Sequence, residues 1–159
     1  MEVKIVEKEA FQLVGLAIKT KGDGDPSTND ISKLWDRFDA ASSQIEHSIK
    51  PEIKFGLMTF PDHWKHGEPF QYMAGVEVNQ FESLPEDMES AELPKQQYAV
   101  IHYRGKISGI GVAYDYFYRE WLPKSGYEFG NNFEMEYYDG KFYGRDNPES
   151  EISFYFPVK

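Results

Sequence analysis

The chain has no cysteine, a deficit of basic residues and no long apolar run, and each shortage closes off a class of function. Without cysteine it forms neither a disulfide nor a thiolate metal site, a composition compatible with a reducing compartment. Seventeen Lys and Arg against 27 Asp and Glu leave a net charge of −10, the wrong sign for neutralising phosphates, so direct nucleic-acid binding is not expected. No run of about 18 apolar residues occurs, and the opening MEVKIVEKEAF alternates charge where a secretory leader needs an unbroken apolar stretch. No membrane segment is therefore expected, and the cytoplasm is the default location. GKISGIG, residues 105 to 111, lacks the Lys-Ser/Thr ending of a phosphate-cradling loop and the glycine spacing of a dinucleotide fingerprint. There is also no Gly-x-Ser-x-Gly elbow, so neither a nucleotide cofactor nor a serine hydrolase is indicated.

Aromatic residues are abundant instead: 11 Tyr, 12 Phe and 3 Trp make up 16% of 159 residues. That length suits a single domain over residues 1–159, large enough to bury a real core. Hydropathy patterning predicts an α+β fold. An extended run over about 11–19 is followed by the turn-rich GDGDPSTND, residues 22 to 30, where Ser27, Asn29 or Asp30 can cap a helix. Ile31, Leu34, Trp35, Phe38, Ala41, Ile45 and Ile49 form one helical stripe, stopped by Pro51. Strands follow over 54–60 and 70–78, the second alternating strictly through Phe70, Tyr72, Ala74, Val76 and Val78.

Residues 80–94 carry acidic groups and two prolines with no clear period, and read as a polar connection. The same order then returns: a strand over 97–103, a helix from a Ser108 cap to about Leu122 ended by Pro123 and Gly126, and strands over 133–138 and 152–157. Two strand-helix-strand-strand modules, over about 1–79 and 95–159, point to an internal duplication forming one antiparallel sheet with both helices on one face.

The segment NFEMEYYDGKF, residues 132 to 142, carries the sharpest chemistry. Period two places Phe133, Met135 and Tyr137 on one face and Glu134, Glu136 and Tyr138 on the other. In an aromatic cleft such carboxylates would be desolvated and would partner cations or hydrogen-bond donors. From this segment alone, glutamates pointing to solvent are the simpler reading. Tyr72, Tyr98, Tyr103, Tyr114 and Tyr138 are candidate walls, because a phenol offers apolar area and a polar tip. Phe117 and Trp121 read as core between helix and sheet. His63 and His66, with Asp62 and Glu68, fall in a loop without a second ligand pair, and no metal site is expected there. His102 on a strand reads as a packed or hydrogen-bonded residue.

Taken in order, YMAGVEV at 72 to 78, LPKQQYAVIHYRG at 93 to 105, EWLPKSGYE at 120 to 128, MEYYDGKF at 135 to 142 and SEISFYFPV at 150 to 158 resemble the gyrase-inhibitor-like effector-binding family. That family includes the ligand domains of multidrug-sensing transcription regulators. The resemblance implies the duplicated fold, a cleft between the halves, and small, often cationic and aromatic ligands. Aligned through YYDGKF, it assigns the family's acidic pocket residue to Glu136, with Glu134 as the alternative. No helix-turn-helix domain accompanies these motifs, so a stand-alone member is expected. Such relatives are associated with drug sequestration, with a protein partner such as gyrase, or with hydrolysis of strained toxins, in which Glu136 would activate water beside Tyr98 or Tyr114.

Overall fold

The computed structural model describes residues 1–21, 27–80 and 83–159. Among these residues, eight strands form a single antiparallel sheet: β1 (Val3–Lys8), β2 (Phe11–Lys21), β3 (Lys54–Thr59), β4 (Pro69–Val78), β5 (Glu89–Leu93), β6 (Gln96–Arg104), β7 (Phe133–Tyr138) and β8 (Glu151–Val158). Their spatial order is β1-β6-β8-β7-β3-β4-β2-β5. Each expected module is present, as β2-α1-β3-β4 with α1 (Asp30–Ala41), and as β6-helix-β7-β8. The modules meet at the centre of the sheet, where β3 pairs with β7.

Two strands go beyond the sequence reading. β1 and β5 each lead into a module through only two residues, yet each pairs with the other module. The register runs on through both strands, with Val3 opposite Ile101, Lys8 opposite Gln96, Phe11 opposite Leu93 and Gly15 opposite Glu89. β1-β2 and β5-β6 therefore act as one antiparallel ribbon crossing from one half-sheet to the other. A two-residue connection spans at most about 11 Å, whereas β1 and β2 stand six places apart in the sheet, about 29 Å if it were flat. The sheet must curl until its ends meet. Its inner face closes over Phe11, Leu13, Phe55, Leu57, Tyr98, Phe133 and Met135, all buried in one cluster.

The outer face carries the helices. Leu34 and Phe38 of α1 pack on Val14, Leu16, Ala74 and Val76. The α1 helix ends at Ala41, well short of Ile49, because the backbone of 47–49 bonds to the end of β4 instead of closing helical turns: Ile49 N–H donates to Glu77 O and Asn79 N–H to His47 O. Asn29 occupies its N-cap in a left-handed conformation without a side-chain cap, while the Asp30 carboxylate accepts from Ile31 N–H at 2.8 Å and from the Thr20 hydroxyl at 2.5 Å. Residues 22–26 of the preceding loop, and Glu82 of the acidic connection, lie outside the described residues.

The second helical rod comprises α2 (Gly111–Asp115), a wide π-helical stretch (Tyr116–Trp121) and α3 (Leu122–Ser125). It begins after a single tight turn at Ile107–Gly109, without a Ser108 cap, and runs past Pro123 to Gly126, whose φ of 80° ends it. The π stretch ends two residues before Pro123, whose missing N–H breaks the ordinary helical ladder. Phe117 stacks on Phe156 with centroids 3.9 Å apart and interplanar angle 6°, fixing the rod to β8. Because Phe117 is fully buried, Phe117→Ala is expected to cost about 3–5 kcal/mol, measured as a lower urea midpoint with an unchanged slope.

Candidate ligand cleft

The two helical elements stand apart over the β3–β7 seam, leaving a cavity of about 1420 Å³ on the outer face. Period two along β7 turns Glu134, Glu136 and Tyr138 into it, with Met58 opposite Glu134 and Gly56 opposite Glu136 across the seam. The glutamates are not solvent-facing, at 4% exposed for Glu134 and 6% for Glu136. The helices and the loop between β3 and β4 wall them in, with Trp35 from α1, Tyr114 from α2 and Phe60, Trp64 and Phe70 from the β3–β4 side.

Glu136 is the polar centre of the floor. Its Oε1 accepts from the Tyr72 hydroxyl at 2.5 Å and from the Tyr138 hydroxyl at 3.0 Å, while Trp35 Nε1–H donates to the Tyr72 oxygen at 3.0 Å. Such a chain of bonds polarises along its length and fixes the carboxylate. Burial first, and the Glu136 charge second, hold both phenols well above the ordinary tyrosine pKa, so they remain donors. The same rings pack together, with Trp35 at 5.4 Å from Tyr138 and 6.5 Å from Tyr72 between centroids.

Gly56 makes this approach possible. A Cβ there would lie 2.3 Å from the Tyr72 hydroxyl and 2.5 Å from Glu136 Oε1. An isolated glycine inside a strand run is a signal of close approach that could have pointed to the seam. Trp35 could not be separated by pattern from the α1 stripe it belongs to.

Glu134 is set differently. Met58 faces it across the seam, and among the described residues no hydrogen bond reaches its carboxyl. Burial, then the charge of Glu136, pushes its pKa from 4.5 up to about 8.

Of the other tyrosines, Tyr114 lines the cleft with its hydroxyl 3.7 Å from the Met58 sulfur. Tyr98 does not. It lies across the sheet in the inner cluster, packed on Phe133 and Tyr155, its buried hydroxyl without a hydrogen-bond partner and its pKa raised by desolvation. Tyr103 stands outside the cleft lining, donating to Lys106 O at 2.6 Å to hold the turn after β6. Trp121 stacks on Tyr127 in the same outer core as Phe117. His63 and His66 sit on the exposed rim, and His102 bonds Glu151 at 2.6 Å, away from the cleft. Acidic groups outnumber basic ones in the lining: Asp36, Asp39, Asp62, Asp115 and the two glutamates against Lys54, Arg119 and Arg145. Lys54 is bound to Asp39 at 2.5 Å, Arg119 pairs with Asp115, and Arg145 donates to the Ser32 hydroxyl. No helix is long and apolar enough to cross a membrane among the described residues.

Two outcomes are expected. Gly56→Ala overpacks the seam and should cost about 1–3 kcal/mol in denaturant unfolding, with Tyr72→Phe recovering part of the loss by removing the clashing hydroxyl. Because the folded state holds the Glu134 proton up to about pH 8 and the unfolded state only to 4.5, stability should fall as pH rises between these values. The slope is at most about 1.4 kcal/mol per pH unit, and unfolding of Glu134→Gln across this range should show it flattened.

Several known proteins share this architecture. The chain is 32% identical over 158 residues to the transcriptional regulator BrlR of Pseudomonas aeruginosa, covering 99% of this chain and 56% of that protein. It thus spans little more than half the length of that curated relative. The structure of SAV2435 bound to tetraphenylphosphonium superposes with a TM-score of 0.77 at 15% identity, covering 100% of this chain and 94% of that one. The EcmrR chain in its DNA complex gives 0.75 at 15%, covering 99% and 57%. A hydrolase from Listeria innocua gives 0.58 at 9%, covering 99% and 92%; at such identities these likenesses show the fold alone. The family model for the GyrI-like small molecule binding domain matches residues 1–159, and with the duplicated sheet and its seam cleft on the page, the chain belongs to that family.

Proposed function

We propose that the cleft captures hydrophobic aromatic cations, with Glu136 as the charge partner and Trp35, Tyr72, Tyr114 and Tyr138 as the walls, in a protein of drug sensing or sequestration. The observation that carries this reading is a 6% exposed carboxylate, oriented by two phenols, on the floor of an aromatic cavity. A cation entering this site gains Coulomb attraction in a medium much less polar than water, and its apolar body covers ring faces that favour positive charge. The excess of acidic groups in the lining draws cations inward. The cavity exceeds the usual range of about 300–1,000 Å³ for small-molecule sites, so it suits bulky or varied ligands better than one small metabolite. A related fold holding tetraphenylphosphonium supports the same ligand class. With net charge −10, the chain contributes ligand capture and not contact with nucleic acid.

Calorimetric titration with tetraphenylphosphonium tests the assignment. Glu136→Gln should weaken binding by about tenfold to a hundredfold, the worth of one charge-assisted contact. Trp35→Ala should also weaken it, by removing a ring and the donor that orients Tyr72. Equal affinities for wild type and Glu136→Gln would remove Glu136 from the mechanism.

A further inference from the structure

Glu134 is a buried acid that the capture of a single cation leaves unused. It projects into the cleft from the same face of β7 as Glu136, at 4% exposure, with no hydrogen bond to its carboxyl among the described residues. Glu136 has two phenolic donors, whereas the seam gives Glu134 only Met58 and, on the far side of β7, the outer face of β8 carries Phe154 and Phe156. The Glu134 oxygens are not among the sealed, unpartnered polar atoms of the described residues, so the open side of this otherwise desolvated carboxyl is the large cavity itself.

We infer that Glu134 is a second charge-accepting subsite, and that the cleft is built for a ligand carrying two cationic groups about 7 Å apart, the spacing of alternate residues on a strand. This deepens the reading of Glu136 and rests on it. Each subsite has its own rings: Trp35 and Tyr138 beside Glu136, and Tyr114 with Phe60, one step along the seam from Met58, beside Glu134.

The second subsite is gated by a proton. With its pKa raised to about 8, Glu134 is neutral at neutral pH in the empty cleft. Arrival of a second cation breaks its O–H bond, the proton passes to the buffer, and the carboxylate pairs with the ligand. Other titratable groups facing it are Glu136 on its own strand, Tyr72 on β4 and Tyr114 on α2. α1 adds Asp36 and Asp39, the latter held by Lys54 of β3, and Arg119 pairs with Asp115 on the rod. Asp62, His63 and His66 lie at the rim, and Arg145 is bound to Ser32.

The test uses a bis-pyridinium whose rings are joined by a four-carbon chain, and its singly charged counterpart with phenyl in place of one ring. Both are titrated calorimetrically near neutral pH in two buffers of different ionisation enthalpy, beside tetraphenylphosphonium. Wild type should bind the dication at least about tenfold tighter than the monocation and release close to one proton more. Glu134→Gln, isosteric with the neutral acid, should lose both the preference and the proton release while keeping its monocation affinity; Glu134→Met serves as a second variant. His63→Gln/His66→Gln should retain the proton release. No preference for the dication in wild type, or a preference that survives in Glu134→Gln and Glu134→Met, overturns the inference. If tetraphenylphosphonium binds through Glu136 while the dication shows no advantage, only the second subsite falls. Should tetraphenylphosphonium itself fail to bind, the reading of the cleft falls with it.

Discussion

The pairing of β3 with β7 is the constraint on which the molecule turns. Each module would otherwise end in an exposed strand edge with unpaired N–H and C=O groups, and the two modules satisfy those edges against each other. The register of that pairing sets Gly56 opposite Glu136 and Met58 opposite Glu134. A slip of one residue would turn both carboxyls into the closed inner cluster and expose Met135 and Tyr137 on the outer face. The cleft is thus a property of the join itself, because neither module contains it alone.

Two acids two residues apart on that strand meet different fates through their neighbours. Glu136 sits among donors that the fold supplies from β4, from α1 by way of Trp35, and from its own strand. Glu134 sits between apolar side chains, and its charge would also repel that of Glu136. Desolvation is the same in kind for both, but only one is repaid by hydrogen bonds. A tuned pair of this sort arises wherever one face of a strand carries alternate carboxyls into a cavity whose donors are unevenly distributed.

Much of this could be read from the sequence because period two and the helical stripe survive in it. The two faces of 133–138, the strict alternation of β4 and the repeated order of elements are local facts that tertiary structure then used. What stayed hidden depends on partners far away in the chain. β1 and β5 are short, half-exposed and charged, with no local pattern stronger than that of a loop, and their partners lie 74 to 98 residues away in the chain. Tyr98 shares its face of β6 with half-buried Val100 and exposed His102, so the one polar residue within YAVIHY is the local sign that this face turns away from the helices, and the apolar residues around it mask that sign. The early end of α1 reflects backbone bonds to the end of β4, which apolar spacing does not encode.

The ribbon formed by β1-β2 and β5-β6 has a consequence for how the chain comes into being. During synthesis β1 emerges first but has no partner until Gln96–Arg104 has left the ribosome, and β2 lacks its outer neighbour until Glu89–Leu93 is made. The N-terminal module therefore waits, with one edge open, for strands that belong to the second. Such exchange raises contact order and slows folding relative to two independent halves. It also ties their fates together: once the ribbon is zipped, one module cannot unfold without stripping strands from the other.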